Sequence, residues 1–385
     1  MTADRPSLLI LGTRGIPASH GGFETFAEHL ALYLAERGWN VGVYCQEDVA
    51  QVDRRIRSEH WRGIELIKIQ VSSKGPRATL EFDAISVHHA ASRQAVSLVL
   101  GYNSGLYLPY LRLRGRKIVT NMDGIEWRRP KWSKPIRAWF WVNEWIAAWS
   151  SHLLIADHPA IADHLATRRS RRAIAMIPYG GVPVAAAPEA PVRALGLEPG
   201  GYLVSIARIE PDNSILPLVQ AFSQRPRGAK LVVLGNFDPD NAYHNAVRAA
   251  ASAEVVFPGA IYDGATVQAL RYHARAYVHG HTVGGTNPSL VEALWAGNAV
   301  IAHDNVYNRW TAGAAGLFFK DAASCADLMQ QLLQDDALVA RLSEAARLRA
   351  VEEFSWGPIL AQYESAARRF LAGGSQAAIA AEQRV

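Results

Sequence analysis

Short apolar, β-branched runs alternate with helical patterns along nearly the whole chain, and this alternation restricts the fold more than any other feature. A strand, a helix and a second strand form the unit from which parallel sheets covered by helices are built. Candidate strands at 7–12, 40–45, 65–70, 97–102, 117–123, 151–157 and 173–178 number seven, enough for one doubly wound sheet. Residues 183–191, rich in Ala and Pro and poor in large apolar side chains, read as a linker. The series then restarts at 202–207, 230–235, 254–258, 276–279, 299–303 and 316–319. The expected fold class is α/β, with two doubly wound domains facing each other across a cleft. Open sheets of this kind bind ligands beyond the carboxyl ends of their strands, so the loops there are where function is sought.

A length of 385 residues fits two domains, and an apolar fraction of 49% against 19% charged residues supplies two sizeable cores. The formal charge of +5 points to anionic partners, which nucleotide phosphates, acidic lipid head groups and nucleic acid all satisfy. Cys45 and Cys325 are the only cysteines and stand in no metal-ligand spacing, so neither a disulfide framework nor a metal site is expected. The amino terminus lacks the basic start and long apolar run of a signal peptide, and no apolar stretch is long enough to span a bilayer. A cytoplasmic protein that meets membranes only at their surface is the expectation. The Ala/Gln-rich end after Gly373 is expected to fray.

Three loops carry the unusual residues. The first strand runs into Gly12-Thr13-Arg14-Gly15-Ile16-Pro17 and then His20-Gly21-Gly22-Phe23-Glu24-Thr25, with a helix expected over 23–37. Glycines at a helix start let backbone amides approach an anion, although a tight turn alone also demands glycine. The dinucleotide fingerprint is not matched, which disfavours a nicotinamide enzyme. After 202–207 comes Arg208-Ile209-Glu210-Pro211-Asp212-Asn213, where Arg208 is placed either to clamp a diphosphate or to stand exposed on a loop. The third stretch runs His279-Gly280-His281-Thr282-Val283-Gly284-Gly285-Thr286-Asn287-Pro288-Ser289-Leu290-Val291-Glu292. Asn287 is a plausible N-cap and Pro288 suits the first helical turn, so backbone amides are expected at the cleft. Glu292 follows one turn later, where its carboxylate can accept a ribose hydroxyl pair or serve the helix dipole.

These motifs, together with Asn121-Met122-Asp123-Gly124-Ile125-Glu126-Trp127, resemble those of GT-B fold glycosyltransferases of family 4 (group 1), and specifically the bacterial rhamnosyltransferase-type branch. The similarity spans nearly the whole chain, through Phe354-Ser355-Trp356. It implies two Rossmann-like domains: 1–185 for the acceptor and 186–352 for the nucleotide sugar, with 353–385 forming a helix that crosses back to the N-terminal domain, and a tail. It further implies transfer from a nucleotide-diphosphate sugar with retention at the anomeric carbon and with no metal or other cofactor. The donor-binding set so implied is Gly15, Arg208, Asn213, Gly284, Gly285, Thr286, Asn287, Pro288, Ser289, Leu290 and Glu292. The acceptor-binding set is Arg14, His20, Gly21, Gly22 and Phe23.

Two departures from the wider family matter. Its glutamate pair survives only as Glu292, because Gly284 stands where the first glutamate would be, and Asn213 stands where a phosphate-binding lysine would be. The phosphate site therefore has one cation fewer, for which Arg14 or backbone amides are expected to compensate. Loss of the first glutamate suits a deoxy sugar, so the expected donor is dTDP-L-rhamnose and the expected acceptor a polyprenyl-diphosphate-linked saccharide of surface polysaccharide synthesis. A UDP-hexose donor is the alternative. Asp123, Glu126 and Asp157 follow strand ends and are the candidates to orient or deprotonate the acceptor hydroxyl. Helix capping before Pro159 competes with that role for Asp157.

Trp127, Trp132, Trp139, Trp141, Trp145 and Trp149 are six of the 11 tryptophans, interleaved with Arg128, Arg129, Lys131, Lys134 and Arg137. Helical spacing puts Trp141, Trp145 and Trp149 on one face. Such a face suits an anionic membrane surface, and burial against the sheet is its competitor. A sugar-nucleotide epimerase, or a non-enzymatic membrane-surface protein, are the rival functions. Nucleic-acid binding is not expected, because the basic residues concentrate between Arg112 and Arg137.

Overall fold

The computed structural model describes residues 5–18 and 21–371, which divide into two compact units. Among the described residues, the first comprises those up to 127, 134–177 and 357–371, and the second comprises 128–133 and 178–356.

In the first unit the elements run β1 (Ser7–Leu11), α1 (Gly22–Glu36), β2 (Asn40–Asp48), β3 (Ile56–Trp61), β4 (Ile64–Val71), α2 (Pro76–Ala90), β5 (Val96–Leu100), α3 (Leu108–Leu113), β6 (Lys117–Asn121), α4 (Lys134–Ser150), β7 (Leu153–Ala156), α5 (Pro159–Leu165) and β8 (Ile174–Met176). They build an eight-stranded sheet in the order β3-β4-β2-β1-β5-β6-β7-β8. All pairings are parallel except β3 with β4. β3 is the strand that the apolar pattern does not announce. Its sequence Ile-Arg-Ser-Glu-His-Trp is largely polar and exposed because it is an edge, joined to β4 through Arg62 and Gly63, both at positive φ, as a tight hairpin requires. Central strands such as β5, buried at every position, read instead as continuous apolar runs.

The second unit continues with α6 (Ala190–Ala194), β9 (Tyr202–Ile206), α7 (Ile215–Ser223), β10 (Lys230–Leu234), α8 (Ala242–Ala249), β11 (Val255–Gly259), α9 (Gly264–Tyr272), β12 (Ala276–His279), α10 (Pro288–Trp295), β13 (Ala299–His303), α11 (Val306–Ala312), β14 (Gly316–Phe319), α12 (Ala322–Gln334) and α13 (Asp336–Glu353). Its six strands are parallel, in the order β11-β10-β9-β12-β13-β14. All six were expected at these places. Two apolar layers cover the sheet, one including Leu290, Val291 and Leu294 of α10 and the other Leu218, Val219 and Phe222 of α7. Burial of each such side chain contributes roughly 1.5–3 kcal/mol.

The last helix, α14 (Trp356–Arg368), returns the chain to the first unit from residue 357. There the Tyr363 hydroxyl accepts a hydrogen bond from Asn121 at 2.8 Å, and Glu364 accepts one from the Trp39 indole at 3.0 Å. No described helix is long and apolar enough to cross a membrane.

Candidate functional site

Each sheet reverses its winding once, between β1 and β5 in the first unit and between β9 and β12 in the second. Neighbouring chains diverge at such a point, so a crevice opens beyond the strand ends.

In the first unit the crevice is a cavity of about 230 Å³ whose lining includes Gly12, Thr13, Arg14, Glu24, Asp83 and Ser104. A side chain at Gly12 would collide with the Leu100 carbonyl, and its φ of 82° also demands glycine. The loop is closed from within: the Glu24 carboxylate accepts the Arg14 amide at 3.0 Å and the Thr13 hydroxyl at 3.1 Å. Gly21, the N-cap of α1, leaves room for that same carboxylate. The glycine-rich loop thus spends donors on its own acid. Gly15 is glycine for packing, since a β-carbon there would lie 2.8 Å from Cys45. Gly22 opens α1, Phe23 packs toward Gly101, and Arg14 is exposed; His20 lies outside the described residues. Asp83, missed in the sequence because it sits in mid-helix, has its carboxyl pushed up to about 6 by burial, against the opposing effect of the Ser104 hydroxyl that donates to it.

The three acids named as catalytic candidates belong to adjacent strand ends. β6 and β7 pair side by side, and the Met122 amide extends the ladder to the Ile155 carbonyl at 2.9 Å, which brings Asp123 and Asp157 to the same rim of the sheet. Asp123 is held at a φ of 52° with its amide bonded to the Asn121 side chain at 3.0 Å. The Tyr102 hydroxyl receives the Glu126 amide at 2.8 Å and donates to the Gly124 carbonyl at 3.1 Å, which pins the turn between the two acids. Asp157 does not cap α5. His158 does, through its Nδ1 and the Ala160 amide at 3.0 Å.

In the second unit, Asn287 caps α10 by accepting the Ser289 amide at 3.0 Å, with Pro288 in the first turn. The Ser289 hydroxyl ties this helix start to the carboxyl end of β9, donating to the Ile206 carbonyl at 3.1 Å, two residues before Arg208. Arg208 and the start of α10 therefore share one rim. The loop 280–282 seats on the turn after Arg208, with the Thr282 amide on the Asp212 carbonyl at 2.9 Å and Gly280 so close to the Asn213 carbonyl that a β-carbon would collide.

Several expected donor residues have other work. Leu290 is fully buried in the core and its amide bonds to the Asn287 carbonyl, so neither its side chain nor its amide reaches a ligand. Asn213 is a lock on the loop: its side-chain amide donates to the Arg208 carbonyl at 2.8 Å and its oxygen lies 2.7 Å from His281 Nδ1. The Ser289 and Leu290 amides are thus both consumed at the helix start, by the side chain and the carbonyl of Asn287. Gly285 adopts a φ of 116° that favours glycine. A β-carbon at Gly284 would meet the ring of Tyr307 at 2.9 Å, so a tyrosine, and not open space, borders that glycine.

Glu292 is placed by a residue that sequence inspection did not single out. Arg271, buried at the end of α9, lies 2.6 Å from the Glu292 carboxylate and donates to the Ser289 hydroxyl at 3.0 Å. Glu292 remains 40% exposed at its side chain, enough to receive a ligand hydroxyl while the arginine orients it. Only the pairing of α9 with α10 reveals Arg271; no local pattern does. Among the described residues no group of three or more His, Cys, Asp or Glu side chains is arranged to hold a metal ion.

Comparison with known proteins bears on the family and the fold. Residues 6–182 match a family described as a domain of unknown function (DUF1972), and residues 193–349 match the glycosyl transferases group 1. No curated protein matches the chain in sequence. Among solved structures, sucrose-phosphate synthase from Thermosynechococcus elongatus aligns with a TM-score of 0.79 at 21% identity, covering 95% of this chain and 99% of that one. Anabaena HepE, solved in complex with UDP and glucose, aligns with a TM-score of 0.73 at 15% identity over 94% and 99% of the two chains. An Escherichia coli trehalose-6-phosphate protein bound with UDP-2-fluoro glucose gives 0.72 at 11% identity over 94% and 98%.

Proposed function

We propose that this chain, which has the GT-B fold and whose residues 193–349 match the glycosyl transferases group 1, moves a sugar, with retention, from a nucleoside diphosphate onto a lipid-linked saccharide. The observation that carries this reading is the convergence of Arg208, the residues leading into α10 and the Arg271-held Glu292 at the winding reversal of the second sheet. Glu292 receives the ribose hydroxyls. Arg208 and the backbone of 284–286 take the diphosphate, stabilising the charge that develops on it as the glycosidic bond breaks.

The preferred donor is dTDP-L-rhamnose. Its support is the resemblance to the rhamnosyltransferase-type branch together with Gly284, which stands where the wider family's first glutamate would be and is bordered by the phenol end of Tyr307. A UDP-hexose is the second reading, favoured by fold neighbours solved with UDP and glucose or UDP-2-fluoro glucose. On the first unit, Asp123, Glu126 and Asp157 stand at the rim where an acceptor hydroxyl would be oriented and deprotonated. Same-face attack assisted by the departing phosphate requires no further nucleophile.

A thermal-shift panel of nucleotide sugars tests the donor: dTDP-rhamnose is expected to raise the melting temperature, and stabilisation by UDP-hexoses alone would sink the rhamnose assignment. Arg208→Ala and Glu292→Ala are each expected to weaken donor binding about tenfold or more, and unchanged affinity in both refutes the proposed cradle.

A further inference from the structure

Residues 128–133 belong to the second unit, although the segments on both sides of them belong to the first. Charge anchors this excursion. Lys131 Nζ lies 3.2 Å from one carboxylate oxygen of Glu210, and Arg208 lies 3.7 Å from the other. One acid thus gathers two cations from distant parts of the chain at the carboxyl end of β9. Arg129 adds to the same field: its charge, like those of Arg208 and Lys131, falls on His281.

We propose that Lys131 is the further cation of the nucleoside-diphosphate site, and that Glu210 is an internal counter-ion which holds Lys131 and Arg208 until a diphosphate takes its place. This rests on reading the second crevice as the nucleotide site. Asn213 is neutral and fully engaged in holding the Arg208 loop and His281, so it supplies no charge. Arg208 alone brings one positive charge to a ligand that carries more than one negative charge. A lysine drawn from 128–133 closes that deficit, and the Glu210 carboxylate, hydrogen-bonded to Lys131 and 3.7 Å from Arg208, occupies the place that a phosphoryl oxygen would fill. Exchange of one anion for another keeps the cations paired throughout, which avoids the cost of leaving them uncompensated.

Isothermal titration with UDP, dTDP and uridine, on the full chain, tests the proposal. Lys131→Gln is expected to raise the dissociation constant for UDP or dTDP about tenfold while leaving uridine unchanged, and Lys131→Arg to retain most of the affinity. Glu210→Gln is expected to tighten nucleotide binding and to steepen its salt dependence, an outcome that a purely structural Lys131–Glu210 pair does not produce. Comparable melting temperatures establish that the variants fold. Wild-type affinity in Lys131→Gln alongside a loss in Arg208→Gln overturns the assignment and leaves the nucleotide site standing. Weaker binding by Glu210→Gln overturns the counter-ion role, and absence of any UDP or dTDP binding by the wild type overturns both this inference and the reading beneath it.

Discussion

His281 shows how one residue converts placement into a measurable property. Asn213 donates its amide N–H to the Arg208 carbonyl, so its oxygen is left to accept, and His281 must carry its proton on Nδ1. Burial first, and then the positive charges of Arg129, Arg208 and Lys131, push this imidazole down to about 3 from an ordinary 6.5. His279 beside it is lowered as well, by burial and by His281. Between those two values the unfolded chain binds a proton that the folded chain refuses. Stability is therefore expected to fall as pH drops from 6.5 toward 3. Urea denaturation at pH 7 and pH 4.5 is expected to show a smaller loss for His281→Gln than for the wild type, and an equal loss would show that His281 does not contribute. Arg271 makes the companion point: a buried arginine sets the position of an acid that the sequence had already marked.

Elements succeed here by having two faces with different tasks. The inner face of α4 carries Glu144, 1% exposed, which accepts hydrogen bonds from Arg168 at 2.8 Å and the Trp127 indole at 2.9 Å and lies 3.0 Å from His164 Nε2. Burial opposes its charge, yet the bonds from His164 and Arg168 outweigh that and hold its carboxyl below the usual range. Glu144→Ala is expected to cost about 3–5 kcal/mol in urea denaturation, because Arg168, its side chain only 12% exposed, is left without its counter-charge; a loss below about 1 kcal/mol would mean that solvent reaches the pair. The outer face presents Trp139, Trp141 and Trp149, with Arg169 lying over the Trp149 ring at 5.3 Å. Trp145 is only half-buried and is covered by Arg168 at 4.5 Å, so the stripe foreseen over Trp141, Trp145 and Trp149 divides into two exposed rings and one partly covered. Burial against the sheet, its competitor, falls instead to Asn143, Glu144, Ala147 and Ala148.

At the scale of the whole molecule, the exposed aromatic face of α4, which also carries Lys134 and Arg137, makes the expected contact with an anionic membrane surface testable. Sedimentation with phosphatidylglycerol vesicles is expected to pull down the wild type at low salt and to lose about tenfold in affinity in the Trp141→Ala, Trp149→Ala double variant; equal binding by the two excludes this face as the contact. The sequence by itself determined most of the architecture: the alternating apolar runs marked every strand of the second sheet and all but one of the first, and Asn287 with Pro288 announced the start of α10. These signals are local, set by periodicity, capping and the fixed φ of proline, and they act over a few residues. The polar edge strand β3 escaped because its partner on one side is β4 and on the other is water, so it needs no apolar run. Leu290 was read as a ligand contact from its place in a motif, whereas its direction on the helix puts it in the core. Tertiary structure alone decided that Arg271 holds Glu292, that Tyr307 borders Gly284, and that Lys131 reaches Glu210. Each of those pairings joins residues whose proximity depends on how helices and loops pack, and no short-range preference encodes it.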